Sequence, residues 1–380
     1  MSSIPLPNPL AQYHESATFA LYAHTAPSRC GMRREKTLFN EAERDLEQQL
    51  NGRLAHCARH TVQPREKHPT HQVNLRKGLT VGLSHLRFAQ VWMVECGGQT
   101  MVARFYDPLY IADDTRRYDI FRLVDDVVAV EVDAYAALAQ LQGSLIPRFL
   151  GYFMTMVAAP AGLEDQFPKR NVQVILLEFI PGESLFALSP RTGSEACDEE
   201  EPDDDGYLFR IRHTRLSFVC DEHKNTILDA VLLADHLFIL NGVYHMDLEE
   251  RNVILKAGPS SPTAFCGVAR CALRHRFPTD SLIRQVESEA GRSQPVDYST
   301  LTMQQIASLP IAVIDFGCAV LVEDHLKSRN ELQVRMEDSF RYTTEFFVDA
   351  SRPERYRAQF LLDWCCSKWL PSTYKYEPVY

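Results

Sequence analysis

The sequence predicts an α+β protein, with an antiparallel sheet and one helix in its first half and mainly helices in its second. Three observations predict this. Strand-like runs at 91–94 and 100–105 flank Gly97-Gly98, a hairpin signal. Apolar residues recur at helical spacing across 126–142. A strongly apolar helical stretch follows at 226–240, after which the expected strands are short. With 380 residues, 45% of them hydrophobic, the chain is long enough for one large domain or two small ones.

Taken in order, residues 1–72 are rich in Pro, His, Arg and polar side chains. They are expected to form a loosely ordered extension interrupted by a helical patch at 38–54. The texture changes near Leu75. The helix of 126–142 has Asp125 or Asp126 to cap its start and Gly143 to end it. Val128, Val132, Tyr135 and Leu138 or Ala139 share one of its faces. The apolar run 172–179 reads as a buried strand stopped by Pro181-Gly182. Asn241-Gly242 stops the helix of 226–240. Short strands are expected at 253–255 and 311–314, and a closing helix at 352–370. Stretches near 190–210 and at 257–310 read as insertions, the second being too long for an ordinary turn.

Charge and composition exclude several classes. Lys+Arg 40 against Asp+Glu 50 gives a net charge of -10, which argues against a nucleic-acid binder. Eight acidic residues lie between Glu195 and Asp205, so the remainder of the chain carries a net charge of only about -2. That run is expected to be a solvated loop; the sharper alternative is a protein partner docking there or on the N-terminal extension. No apolar stretch reaches the roughly 18 residues needed to span a bilayer. Residues 1–10 lack a basic-then-apolar leader pattern. No membrane partner is expected, and the setting is read as cytoplasmic, with the nucleus as the alternative. Ten scattered cysteines fit reduced thiols in such a compartment. Cys266, Cys271 and His275 offer three zinc ligands, but their spacing matches no common site and no fourth ligand is evident.

Two segments carry chemistry. The first runs Val243-Tyr244-His245-Met246-Asp247-Leu248-Glu249-Glu250-Arg251-Asn252-Val253 and the second Ile311-Ala312-Val313-Ile314-Asp315-Phe316-Gly317. Each has an apolar strand delivering a carboxylate into a loop. Phosphoryl transfer is mostly positioning plus charge neutralisation. One carboxylate must take the acceptor's proton, while a second carboxylate and an amide oxygen hold magnesium, a hard cation that wants oxygen ligands. Asp247, Asp315 and Asn252 are the types those roles need. His245 is expected to orient the loop beneath Asp247. Glu249 and Arg251 read equally as acceptor or phosphate contacts and as solvated loop charges. Ser339, Thr343 and Thr344 are hydroxyls open to modification.

The order His-x-Asp-Leu-x-x-x-Asn then Asp-Phe-Gly resembles the protein-kinase-like superfamily, and more closely the divergent fungal protein-kinase-like proteins. The likeness extends upstream. The run 100–107 resembles the strand carrying that family's phosphate-binding lysine, which Arg104 replaces. Glu131 matches the helix glutamate that pairs with the lysine, and 176–180 resembles the hinge segment that contacts adenine, which Glu178 and Ile180 would do. The resemblance covers roughly residues 75–320, the two insertions apart. It implies a two-lobed protein-kinase-like fold with a small antiparallel-sheet N-lobe at 73–180 and a shortened helical C-lobe at 181–380. ATP and magnesium are the implied cofactors, and the implied reaction is γ-phosphoryl transfer to a hydroxyl acceptor, foremost a protein Ser/Thr. Asp247 is then the base, Asn252 and Asp315 hold metal, and Arg104, held by Glu131, meets the phosphates.

Departures from the pattern motivate two alternatives. Arg104 is planar and wider than lysine. The Gly-rich loop has Ser84, Leu86 and Ala89 at its glycine positions. These favour a pseudokinase that keeps a binding role and transfers phosphate poorly. The absence of Ala-Pro-Glu after Gly317 favours a small-molecule kinase.

Overall fold

The computed structural model describes residues 12–27, 68–81, 88–110, 120–158, 169–188, 221–248, 250–256, 303–307, 309 and 311–321. The chain forms two compact units, Met1–Ala136 with Pro147–Phe179, and Ala137–Ile146 with Ile180–Tyr380.

The first unit is built on strands β1 (Thr18–Ala23), β2 (His71–Thr80), β3 (Gln90–Cys96), β4 (Gln99–Tyr106), β5 (Phe149–Ala158) and β6 (Lys169–Glu178). They close into an antiparallel barrel in the order β1-β2-β3-β4-β6-β5. Strand alternation builds its interior. Trp92, Val94 and Cys96 from β3 join Ala103 and Phe105 from β4, Phe19 and Leu21 from β1, and Val172, Val174 and Leu176 from β6. The β3–β4 turn is Gly97-Gly98, with φ of 56° and 78°. Both angles are left-handed, as a two-residue hairpin matched to strand twist demands. Helix α1 (Ile120–Ala137) buries Val124, Val127, Val128, Glu131, Ala134 and Tyr135 on one face. It starts and ends several residues before the predicted 126–142, and Gly143 instead supplies a φ of 73° in a later turn.

This architecture corrects the expected fold class. The two-lobed protein-kinase-like fold, with a small sheet beside a shortened helical lobe, is replaced: the described residues are mostly β, and those of the first unit close into a six-stranded barrel. The physical reason is β1, which comes from the stretch expected to be a loose extension. Thr18, Phe19, Ala20 and Leu21 pair with β2, while Tyr22 and Ala23 pair with β5. One short strand thereby satisfies both edges that an open sheet would leave unpaired. Ala17, Phe19 and Leu21 point inward at period two.

Described residues of the second unit hold β7 (Gly182–Ser184), α2 (Leu185–Leu188), α3 (Asp221–Leu240), β8 (Val243–Tyr244), β9 (Val253–Lys256), α4 (Met303–Ala307), β10 (Ile311–Val313) and β11 (Val320–Leu321). These strands form a three-stranded sheet in the order β10-β9-β7 and a β11-β8 pair. Gly182 is needed where β7 meets β9, since a Cβ there would lie 2.2 Å from the Leu255 carbonyl oxygen. Among the described residues no helix is long and apolar enough to cross a membrane. The helical patch at 38–54, the acidic loop, the Cys266, Cys271 and His275 group, Ser339, Thr343, Thr344 and the helix at 352–370 lie outside the described residues.

Candidate functional site

Within the second unit, the pairing of β9 with β10 builds the site. Val253 faces Val313 in the antiparallel register, and the Ile314 N–H continues the ladder by donating to the Asn252 carbonyl at 2.9 Å. Asn252 precedes β9 and Asp315 follows β10, so an antiparallel pair must deliver both to the same end. Lys256 fixes the far end of β9, its Nζ donating to the carbonyls of Ser144 at 2.6 Å and Leu309 at 3.1 Å. The sequence reading assigned Lys256 no role; only the fold brings those carbonyls to it.

Asn252 is buried, and its Nδ2 donates to the Asp247 carbonyl at 2.7 Å and to Asp247 Oδ2 at 2.9 Å. Its amide hydrogens are thus committed to Asp247, and Oδ1 is the atom it can offer a cation. Arg251 Nη2 approaches both carboxylate oxygens of Asp247, at 2.8 and 3.1 Å. The Arg251 side chain is 48% exposed. The Asp315 carboxylate accepts from the Gly317 N–H at 3.4 Å.

His245 ties the two loops together from below. Its Nε2 lies 2.9 Å from the Ile314 carbonyl, and the Asp247 N–H points at its Nδ1 at 3.3 Å. A carbonyl only accepts and a backbone N–H only donates, so the ring is the neutral tautomer protonated at Nε2. Phe316 packs edge-on against His245 at 4.7 Å and against Phe238 of α3 at 5.4 Å. This aromatic wedge also escaped the sequence reading, because Phe238 looks like one more apolar residue of its helix.

Backbone strain gathers here. Among the described residues, the non-glycine positions with positive φ are Ser16 at 77°, Met246 at 59° and Asp315 at 67°. A left-handed non-glycine residue costs roughly 1–2 kcal/mol. Met246 adjoins Asp247, and Asp315 is itself the second candidate carboxylate. Strain of this kind concentrates at functional sites. The Met246 side chain is turned outward and is 58% exposed.

In the first unit, Arg104 of β4 lies 3.0 Å from Glu131 of α1 through Nη1 and Oε1, as the sequence predicts for that pair. Tyr106, two residues along the same strand face, donates its hydroxyl to Glu131 Oε2. The Arg104 guanidinium also stands 5.7 Å from the Tyr106 ring. The ion pair is buried, which requires the close pairing it has. Glu178 is clamped by Arg148, from its backbone N–H at 3.0 Å and its guanidinium at 3.1 Å. Ile180 is half-buried just beyond β6. Ala89 is buried, while Ser84 and Leu86 lie outside the described residues. Ser184 caps α2, its Oγ accepting from the Ala187 N–H at 3.1 Å.

Comparison with protein-family models and with curated proteins finds no match to this chain.

Proposed function

We propose that the chain is an ATP- and magnesium-dependent phosphotransferase, with the motif chemistry of the protein-kinase-like class, acting on a hydroxyl acceptor and foremost on a protein Ser/Thr. The barrel departs from the fold that resemblance implied, so the proposal rests on the second unit's loops. One observation carries it. The β9–β10 register brings Asn252 and Asp315 to one end, while Asn252 holds Asp247 beside them.

The donor set fits the metal. Asn252 Oδ1 and the Asp315 carboxylate are hard oxygen donors, and magnesium takes such ligands together with phosphate oxygens. Bound there, the ion would supply neutralising charge to the polyphosphate. Asp247 receives the acceptor's proton as the acceptor oxygen bonds to the γ-phosphorus. The bond from that phosphorus to the β,γ-bridging oxygen breaks, and its electron pair leaves on ADP. The resemblance alone assigns phosphate contact to Arg104 and adenine contact to the segment of Glu178 and Ile180. Reduced cysteines fit a cytoplasmic or nuclear setting.

The test is magnesium-dependent ATP binding by calorimetry on the native protein and on Asp315→Ala. Binding that needs magnesium and is lost in the variant is expected. Absence of binding to the native protein would refute the proposal. A second reading, the pseudokinase, is favoured by the burial of Arg104, which leaves its guanidinium little exposed. A large gain in phosphotransfer with Arg104→Lys would decide for a crippled native site.

A further inference from the structure

We propose that residues 12–23 are a built-in strap whose seating on the barrel positions the Arg104–Glu131 pair. The strap has three attachments. Its backbone pairs with β2 and β5, and Ser16 N donates to the Leu75 carbonyl at 2.8 Å. Thr155 Oγ1 of β5 donates to the Ala20 carbonyl at 2.8 Å. Tyr13 enters the barrel core, where it packs against Phe19 at 5.4 Å and Phe105 at 5.3 Å. The Tyr13 hydroxyl donates to Asp107 Oδ2 at 2.9 Å.

Asp107 is where the strap meets β4. It is fully buried and receives Arg170 Nη2 at 2.7 Å, Arg170 Nε at 3.1 and 3.2 Å, and the Leu109 N–H at 3.1 Å. It directly follows Tyr106, the residue that donates to Glu131. Strand β4 thus has two faces with different tasks. Phe105 points into the barrel against the strap, while Arg104 and Tyr106 point to Glu131. A shift of the β4 end caused by losing the Tyr13 bond must move the neighbouring Tyr106, because adjacent residues share one backbone. Tyr13 and Asp107 are positioning residues in this scheme, and the nucleotide arm of its test rests on the reading that Arg104 meets phosphate.

The experiment uses the full chain with Tyr13→Phe, which keeps the ring and removes the hydroxyl, and separately with Thr155→Val, which loosens the strap without touching Asp107. Each is followed by hydrogen–deuterium exchange over 99–106 and 120–137 and by magnesium-ATP affinity. Exchange in both segments is expected to rise in both variants. Affinity is expected to fall at least about fivefold, the lower end of ordinary site coupling. Faster exchange confined to 12–23, with 120–137 and the affinity at native values, would overturn the proposal. Should the native protein bind no nucleotide, the phosphotransferase reading fails, while exchange over 120–137 still decides whether the strap holds that helix.

Discussion

Replacing His245 with Phe separates the ring's packing from its hydrogen bonds. A phenyl ring preserves the aromatic contacts with Phe238 and Phe316. It removes the bond to the Ile314 carbonyl at 2.9 Å and that from the Asp247 N–H at 3.3 Å. A net hydrogen bond is worth about 0.5–1.5 kcal/mol, and a buried polar group left without its partner costs about 1–3 kcal/mol. The Ile314 bond is the shorter and better formed, so a loss of about 2–3 kcal/mol is expected, a factor of roughly 30 to 150 in the folding equilibrium. Urea denaturation of both proteins measures it, with the shift in midpoint read at constant slope. The two loops carry Asp247 and Asp315, so magnesium-ATP affinity should fall as well. A stability change under about 0.5 kcal/mol with unaltered affinity would refute the claim that His245 fastens the loops, since that is the range of an ordinary surface substitution.

Other outcomes follow from the same geometry. Arg170→Leu strands Asp107 in the barrel and should destabilise by about 3–5 kcal/mol, whereas the further change Asp107→Leu should recover part of that in urea melts. Gly182→Ala drives a methyl group into the Leu255 backbone, so a thermal melt should show a clear fall in midpoint, while Gly97→Ala, with open space around its Cβ position, should register only its left-handed strain. Arg251→Ala should alter stability by no more than about 1 kcal/mol, because exposed pairs contribute little, so any large effect on phosphotransfer would report its approach to Asp247. Tyr152 is held above its ordinary value near 10, first by burial and then by the Asp125 charge. Its folded form therefore keeps the proton longer than the unfolded form. The resulting stability is present below about pH 10 and is lost as pH rises further. Tyr152→Phe should flatten the alkaline limb of the stability profile.

Local signals were legible where the chain's near neighbours settle the structure. The β3–β4 hairpin was readable because Gly97-Gly98 and the flanking apolar runs lie within a few residues of each other. Asp247 and Asp315 stood out because each follows a short apolar strand and Asn252 because it stands five residues after Asp247, while the pairing of Arg104 with Glu131 was implied by the resemblance. The barrel was not legible. Strand β1 has alternating apolar residues, but its partners lie about fifty and more than a hundred residues onward, and its Pro- and His-rich surroundings mask the pattern. Asp107 and Arg170 gave no hint of each other, since a buried ion pair looks in sequence like two ordinary charges. The left-handed angle at Met246 was equally hidden, because no glycine or asparagine marks it.

Closure of the barrel by its first strand also fixes an order of events during synthesis. Thr18–Ala23 leaves the ribosome before either neighbour exists, and its partner Met154 follows more than a hundred residues later. At usual elongation rates of roughly 5–20 residues per second, the delay is on the order of ten seconds. Phe19 and Leu21 can pair with β2 once residues 71–74 emerge, but the open edge of β1 stays without β5 through that interval, a state that invites premature association. The barrel closes only when its first strand pairs with β5, so this non-local step should limit the folding rate.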